Sequence, residues 1–118
     1  MIEIISPFFA FPVLMLAFGL YSAKGGPKEI SGLVGYRTSM SMKNIDTWKF
    51  AHMFIGKILI FVGLALLVIS VIAILFAGEA AVRNGAFFLI VHILAFVVSI
   101  IVTEMALKKK FDSKGNRK

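Results

Sequence analysis

The chain contains no cysteine among its 118 residues, and charged residues make up only 16% of it. The missing thiols exclude disulfide bonds, thiolate catalysis and cysteine-ligated metal sites. The sequence also has no HExxH pair, no P-loop and no GxSxG turn around its serines. These absences remove the commonest sequence signatures of metalloproteases, nucleotide-binding proteins and serine hydrolases.

Apolar residues, in contrast, are abundant. They make up 59% of the chain, and the mean hydropathy is +0.94, whereas a soluble domain is about 45–50% apolar. Three apolar runs, at about 2–22, 50–77 and 86–107, each supply the ~20 residues that cross a hydrocarbon core. The sequence therefore predicts an all-α fold: residues 1–118 form one integral membrane domain, a bundle of three transmembrane helices.

The basic residues are unevenly distributed. Lys and Arg total 13 against six Asp and Glu, a formal net charge of +7. They concentrate in the loop 23–49 and in the tail 108–118, whereas the connection between the second and third runs carries only Arg83. The positive-inside rule therefore predicts a cytoplasmic loop and C-terminus and an outside N-terminus. We expect a multi-pass protein of a bacterial or archaeal cell membrane, with its basic residues on anionic headgroups rather than on nucleic acid.

One polar segment, residues 35–52, separates the first two apolar runs and concentrates hydrogen-bond donors and aromatic residues. Asn44 is a suitable N-cap, and Asp46 falls in the first turn, where a negative charge suits the helix dipole. The second helix is therefore predicted to begin before the membrane, with Trp48 at headgroup level. A function specific to this chain is expected in this segment.

Two stripes of small or polar residues lie on the second and third predicted helices. The first stripe repeats every seven residues and consists of Gly56, Gly63, Ser70 and Ala77. The second aligns on one face of the third helix and consists of His92, Ser99 and Thr103. Since small residues let membrane helices approach closely, the two stripes are predicted to face each other. Three helices enclose little protected interior, so association with a second copy is also expected.

The titratable residues suggest one possible enzyme. His52 and His92 are separated by roughly 20 Å along the helix axes, so they cannot share a metal ion within one chain, and we predict no metal or cofactor. Glu104, Asp46 and Arg37 lie at about the depth of His52 and could converge there. Arg37 would then bridge to Asp46 or Glu104 in a small peptide or lipid hydrolase; alternatively, Arg37 binds a lipid phosphate.

The polar segment also resembles the signature of the SdpI family. The residues that carry the resemblance are Gly35, Tyr36, Arg37, Thr38, Ser41, Asn44 and Trp48, followed by Ala51 and His52. The resemblance implies a three-helix membrane segment with this loop after the first helix. It implies a non-enzymatic role in tolerance to an antimicrobial or killing peptide, and signalling through a cytoplasmic regulator held at the membrane. The partners it implies are therefore a toxin peptide or that regulator.

Overall fold

The computed structural model describes residues 2–30, 33 and 35–118, and the regular secondary structure in this part of the chain is helical apart from one isolated β-bridge. The elements are α1 (Ile2–Ala23), α2 (Ile45–Ala77), α3 (Glu79–Arg83) and α4 (Gly85–Lys110). The three predicted helices are thus confirmed, and the molecule is an elongated bundle measuring 51 × 23 × 19 Å. α2 and α4 are each long and apolar enough to cross a membrane, while α1 has a shorter apolar stretch over Phe9–Ala23.

The start of α2 follows from its local sequence. Asn44 has an extended backbone, and its side-chain oxygen accepts a hydrogen bond from the Thr47 N–H at 2.9 Å. The Thr47 hydroxyl in turn accepts one from the Asn44 N–H at 3.0 Å. This reciprocal capping box satisfies N–H groups that have no partner within the helix. The prediction of an N-cap at Asn44 is confirmed.

The connection between α2 and α4 contains a short helix that was not predicted. α2 ends where Gly78 takes a φ of 51°, a conformation that glycine adopts without steric cost. α3 then follows, with Glu79 and Arg83 3.9 Å apart in an exposed i,i+4 pair. The reversal keeps α2 and α4 adjacent and antiparallel, as expected for a short connection.

The small-residue stripe of α2 packs against α1, so the prediction that it faces the third long helix is wrong. A Cβ added to Gly56 would lie 2.7 Å from the carbonyl oxygen of Gly19, and it would overlap the backbone of Ala23. A Cβ on Gly63 would meet Leu16 at 3.0 Å. The glycine at position 19 of α1 makes this the closest approach, because both backbones lack side chains there. Ala77 is exposed and lies outside the contact.

The polar stripe of α4 is buried, but its hydroxyl groups bond within their own helix. The Ser99 hydroxyl donates to the Ala95 carbonyl and the Thr103 hydroxyl to the Ser99 carbonyl, both at 2.8 Å. His92 stacks on Phe11 of α1, with ring centroids 5.9 Å apart. α4 is therefore held to α1 partly by aromatic packing, and the two hydroxyl groups of its polar stripe are satisfied without a partner on α2.

Large apolar side chains remain on the outside of the bundle. In α2, for example, Phe61 and Leu75 are each 75% exposed and Phe76 is 86% exposed. Patches of this kind are unusual on a monomer in water and mark surfaces that meet lipid or protein. The outer surface is therefore that of a helix bundle which is apolar all round.

Candidate functional site

Tyr36 connects three parts of the fold at one end of the bundle. Its side chain is 7% exposed. Its backbone N–H donates to Nε2 of His52 in α2 at 2.8 Å, and its hydroxyl donates to Oε1 of Glu104 in α4 at 2.7 Å. Burial, followed by the hydrogen bond and the negative charge of Glu104, raises the pKa of the Tyr36 phenol. Tyr36 is therefore a protonated donor at physiological pH and links the loop to α2 and α4.

Both ring nitrogens of His52 are occupied by hydrogen bonds. Because Nε2 accepts from a backbone N–H, the ring proton lies on Nδ1, which is 2.8 Å from the carbonyl oxygen of Trp48 and donates to it. The ring is fully buried. Its neighbours are glycines with positive φ: a Cβ on Gly26 would lie 2.8 Å from Cγ of His52, and a Cβ on Gly35 would lie 2.6 Å from Nε2. In this arrangement His52 is a neutral positioning residue.

Trp48 holds the loop that follows α1. Its indole N–H donates to the carbonyl oxygen of Pro27 at 2.9 Å, and its ring lies 4.3 Å from that of His52. The placement of Trp48 at headgroup level stays a prediction, but its side chain is completely buried within the protein and does not contact lipid. The indole therefore packs between α2 and the loop, where its single donor finds a backbone acceptor.

The remaining hydroxyl groups of the signature close a tight turn. The Thr38 N–H donates to the Ser41 hydroxyl at 2.8 Å, and the Ser41 N–H donates to the Thr38 hydroxyl at 3.1 Å. The Ser41 hydroxyl lies 3.0 Å from the Tyr36 carbonyl, and the Thr47 hydroxyl lies 3.1 Å from the Ser41 carbonyl. This turn places Tyr36 on one of its sides and the start of α2 on the other.

The tail after α4 folds back as a hairpin. Phe111 and Arg117 form an antiparallel bridge, and the Asp112 carboxylate accepts from two backbone N–H groups at 2.9 Å. The hairpin docks on the start of α2, where the Asn44 amide donates to the Gly115 carbonyl at 2.8 Å. Of the tail 108–118, predicted only as a basic segment, residues 108–110 end α4 and residues 111–118 form the hairpin on the α2 N-terminus. Its turn residues Asp112 and Gly115 were a signal that the sequence reading missed.

Asp46 is paired within this hairpin contact. Both of its carboxylate oxygens accept from the Arg117 guanidinium at 2.7 Å, and the carboxylate raises the pKa of Arg117. The predicted bridge from Arg37 to Asp46 or Glu104 is therefore wrong: Asp46 pairs with Arg117, and Glu104 accepts from Tyr36. The ion-pair partner of Asp46 thus comes from the hairpin, and the sequence near Asp46 could not predict it.

The four residues expected to converge lie in three separate places. His52 and Glu104 are joined through Tyr36 rather than to each other, and Asp46 belongs to the hairpin contact. Arg37 has an exposed side chain with no hydrogen bond or ion pair to any other described residue. Among the described residues there is also no group of three or more histidine, aspartate and glutamate side chains suited to a metal ion.

The signature thus divides by what each side chain does. Most members hold the loop on the bundle, because their polar groups form hydrogen bonds within the protein. These members are Tyr36, Ser41, Asn44, Trp48 and His52. Gly35 makes room for the His52 ring. Arg37 is the exception, since its side chain is exposed and makes no hydrogen bond to any described residue.

Comparison with known proteins supports the family suggested by this pattern. The family model described as the SdpI/YfhL protein family matches residues 28–103, which is more than half of the chain. The match includes the whole signature loop and α2, whereas all of α1, the end of α4 and the C-terminal hairpin lie outside it. No curated protein and no solved structure gives a significant match. The chain belongs to the SdpI/YfhL protein family.

Proposed function

We propose that the chain is a non-enzymatic, multi-pass protein of the cell membrane that confers tolerance to an antimicrobial or killing peptide. In this proposal α1, α2 and α4 all span the bilayer, the N-terminus lies outside, and the signature loop and C-terminal hairpin lie in the cytoplasm. Family membership and the apolar outer surface support it.

The charge distribution agrees with this orientation. The contact between Asn44 and Gly115 places the loop and the tail at the same end of the bundle. These two segments contain most of the basic residues, whereas the opposite end carries only Arg83. A cytoplasmic loop and tail therefore satisfy the positive-inside rule.

The observation that carries the non-enzymatic proposal is the hydrogen bonding of His52. A general base needs a ring nitrogen free to take a proton. One nitrogen of His52 accepts from Tyr36 and the other donates to Trp48. The hydrolase alternative would have to break one of these bonds before His52 could act, and no contact among the described residues favours it.

Arg37 is the proposed contact residue. Its planar guanidinium presents several donors and suits a carboxylate or a phosphate. It extends from the turn whose hydroxyl groups position the loop, so its backbone is rigidly held while its side chain is exposed. Such an arrangement favours binding to a partner, either the peptide itself or a cytoplasmic regulator.

The proposal can be tested by survival of a peptide-sensitive bacterium that expresses the chain. Cells are challenged with a panel of membrane-active killing peptides, and survival is normalised to the amount of protein in the membrane. We expect protection from the unaltered chain and from Lys28→Ala, which removes an exposed charge from the same loop. Arg37→Ala should abolish protection at an unchanged protein level. Equal survival of expressing and control cells across the panel would contradict the proposal.

A further inference from the structure

A second feature, separate from the signature network, is an open groove of about 370 Å³ beside the first three turns of α2. This volume falls within the range of about 300–1,000 Å³ found for ligand sites. One helix face supplies most of its lining, and the C-terminal hairpin closes the other side. The lining residues are Asp46, Lys49, Phe50, Met53, Phe54 and Lys57 of α2, with Lys110 and Arg117.

The groove has an excess of positive charge. Its single carboxylate, Asp46, is fully engaged by Arg117, so that pair is neutral. Lys49 and Lys57 are exposed and have no ion-pair partner in the part of the chain that the structure describes. Lys110 lies over the face of Phe50, with Nζ 4.8 Å from the ring centroid, and its charge also acts on Asp46. The lining therefore carries four cationic side chains and one carboxylate, a net charge of +3.

The floor of the groove is apolar. The rings of Phe50 and Phe54 stack with centroids 5.7 Å apart, and Met53 is 45% exposed beside them. Lys57 lies eight residues beyond Lys49, or about 12 Å further along α2. A ligand that fills the groove must therefore combine an anionic group with an apolar portion, a description that fits an amphiphile better than a free anion.

The location of the groove restricts the class of ligand further. With α2 crossing the bilayer, the groove lies where the helix enters the hydrocarbon, and Lys57 can extend its ammonium group back toward the headgroups. We propose that the groove is a discrete binding site for one anionic phospholipid. Its phosphate lies among Lys49, Lys57 and Lys110, and its glycerol and first acyl carbons lie over Phe54. Basic pockets at the cytoplasmic face of membrane helices bind acidic headgroups in this way.

The proposal depends on α2 spanning the membrane and is independent of peptide tolerance. It is tested by native mass spectrometry of the whole protein in neutral detergent with equimolar phosphatidylglycerol and phosphatidylcholine of the same acyl chains. The double variant Lys49→Gln/Lys57→Gln removes two groove charges. The control, Lys24→Gln/Lys28→Gln, removes two exposed charges after α1, outside the groove. Trp48 fluorescence verifies that both variants are folded.

We expect one phosphatidylglycerol to bind in preference to phosphatidylcholine in the unaltered protein and in the control. In the groove variant, the preference for phosphatidylglycerol over phosphatidylcholine should fall roughly 10- to 30-fold, given the contribution of two lysines near a membrane surface. Equal loss in both double variants would show diffuse attraction without a site and overturn the proposal. Complete displacement of the lipid by millimolar inorganic phosphate would also overturn it, because the acyl portion would then contribute nothing.

Discussion

Replacing Tyr36 with Phe removes one oxygen atom and tests whether the signature loop is fastened to α4. The hydroxyl donates to Glu104 at 2.7 Å, a short bond to a charged acceptor, and its other contact, to the Ile100 carbonyl, is 3.4 Å long. Hydrogen bonds to charged groups contribute about 1.5–3 kcal/mol. Because the ring and its packing remain and Glu104 is partly exposed to water, we expect a loss of about 2 kcal/mol.

The assay is unfolding of the detergent-solubilised protein, followed by fluorescence of Trp48, which is the only tryptophan and is fully buried. A loss of 2 kcal/mol shifts the unfolding equilibrium roughly 30-fold. The matched control is Tyr21→Phe, since Tyr21 is 45% exposed and its hydroxyl makes no hydrogen bond to any described residue. It should change the free energy of unfolding by less than about 0.5 kcal/mol.

A double-mutant cycle with Glu104→Gln assigns the effect to the pair. The two single changes share one interaction, so their effects should not add, and the coupling energy should be about 1 kcal/mol or more. If Tyr36→Phe and Tyr21→Phe gave equal stabilities, or if the coupling energy were zero, the hydrogen bond would not hold the loop as described.

Three further predictions concern the packing, the ionisation and the two contacts of the hairpin. Gly56→Ala should destabilise the protein by about 1–3 kcal/mol despite the better helix propensity of alanine, because the added Cβ meets the α1 backbone; an increase in unfolding free energy would contradict this packing. In a Tyr21→Phe background, ultraviolet absorbance should show Tyr36 still protonated above pH 10 and ionising only as the protein unfolds. The contribution of protonated Tyr36 to the free energy of unfolding is then fully present below the unfolded-state pKa of about 10, and it is lost as the pH rises beyond that value. Tyrosinate formation near pH 10 in folded protein would refute this. Asn44→Ala should lower the free energy of unfolding by about 1–2 kcal/mol through loss of the cap. Arg117→Gln should lower it by less than about 1 kcal/mol because its ion pair is exposed. The reverse order in unfolding measurements would contradict both assignments.

Local chemistry was predictable from the sequence, and contacts distant in the chain were not. The helices and the N-cap at Asn44 follow from apolar length and from residues within one turn of each other. The contacts of Tyr36 with Glu104 and of Asp46 with Arg117 join residues 68 and 71 positions apart. No periodicity reports such pairs, and the arginine expected to pair with Asp46 was therefore the wrong one.

The packing direction of α2 could not be predicted either. Its surface is apolar all round, so hydrophobic periodicity does not identify the face that meets protein. The stripe containing Gly56 and Gly63 was recognisable, but its partner depended on Gly19 in α1, where the two backbones meet. The same limitation applies to Trp48: an aromatic residue near the end of a span is typical of the interface, yet here the indole reaches Pro27 and is buried.

Under the proposed function, Arg37 acts on a partner while its neighbours in the signature hold the fold. The most direct measurement compares Arg37→Ala with Tyr36→Phe for peptide tolerance per folded molecule in the membrane. Arg37→Ala should lose tolerance with the free energy of unfolding unchanged within about 0.5 kcal/mol. Tyr36→Phe should keep tolerance per folded molecule while losing stability. Tolerance that survives in Arg37→Ala and disappears in folded Tyr36→Phe would contradict the claim.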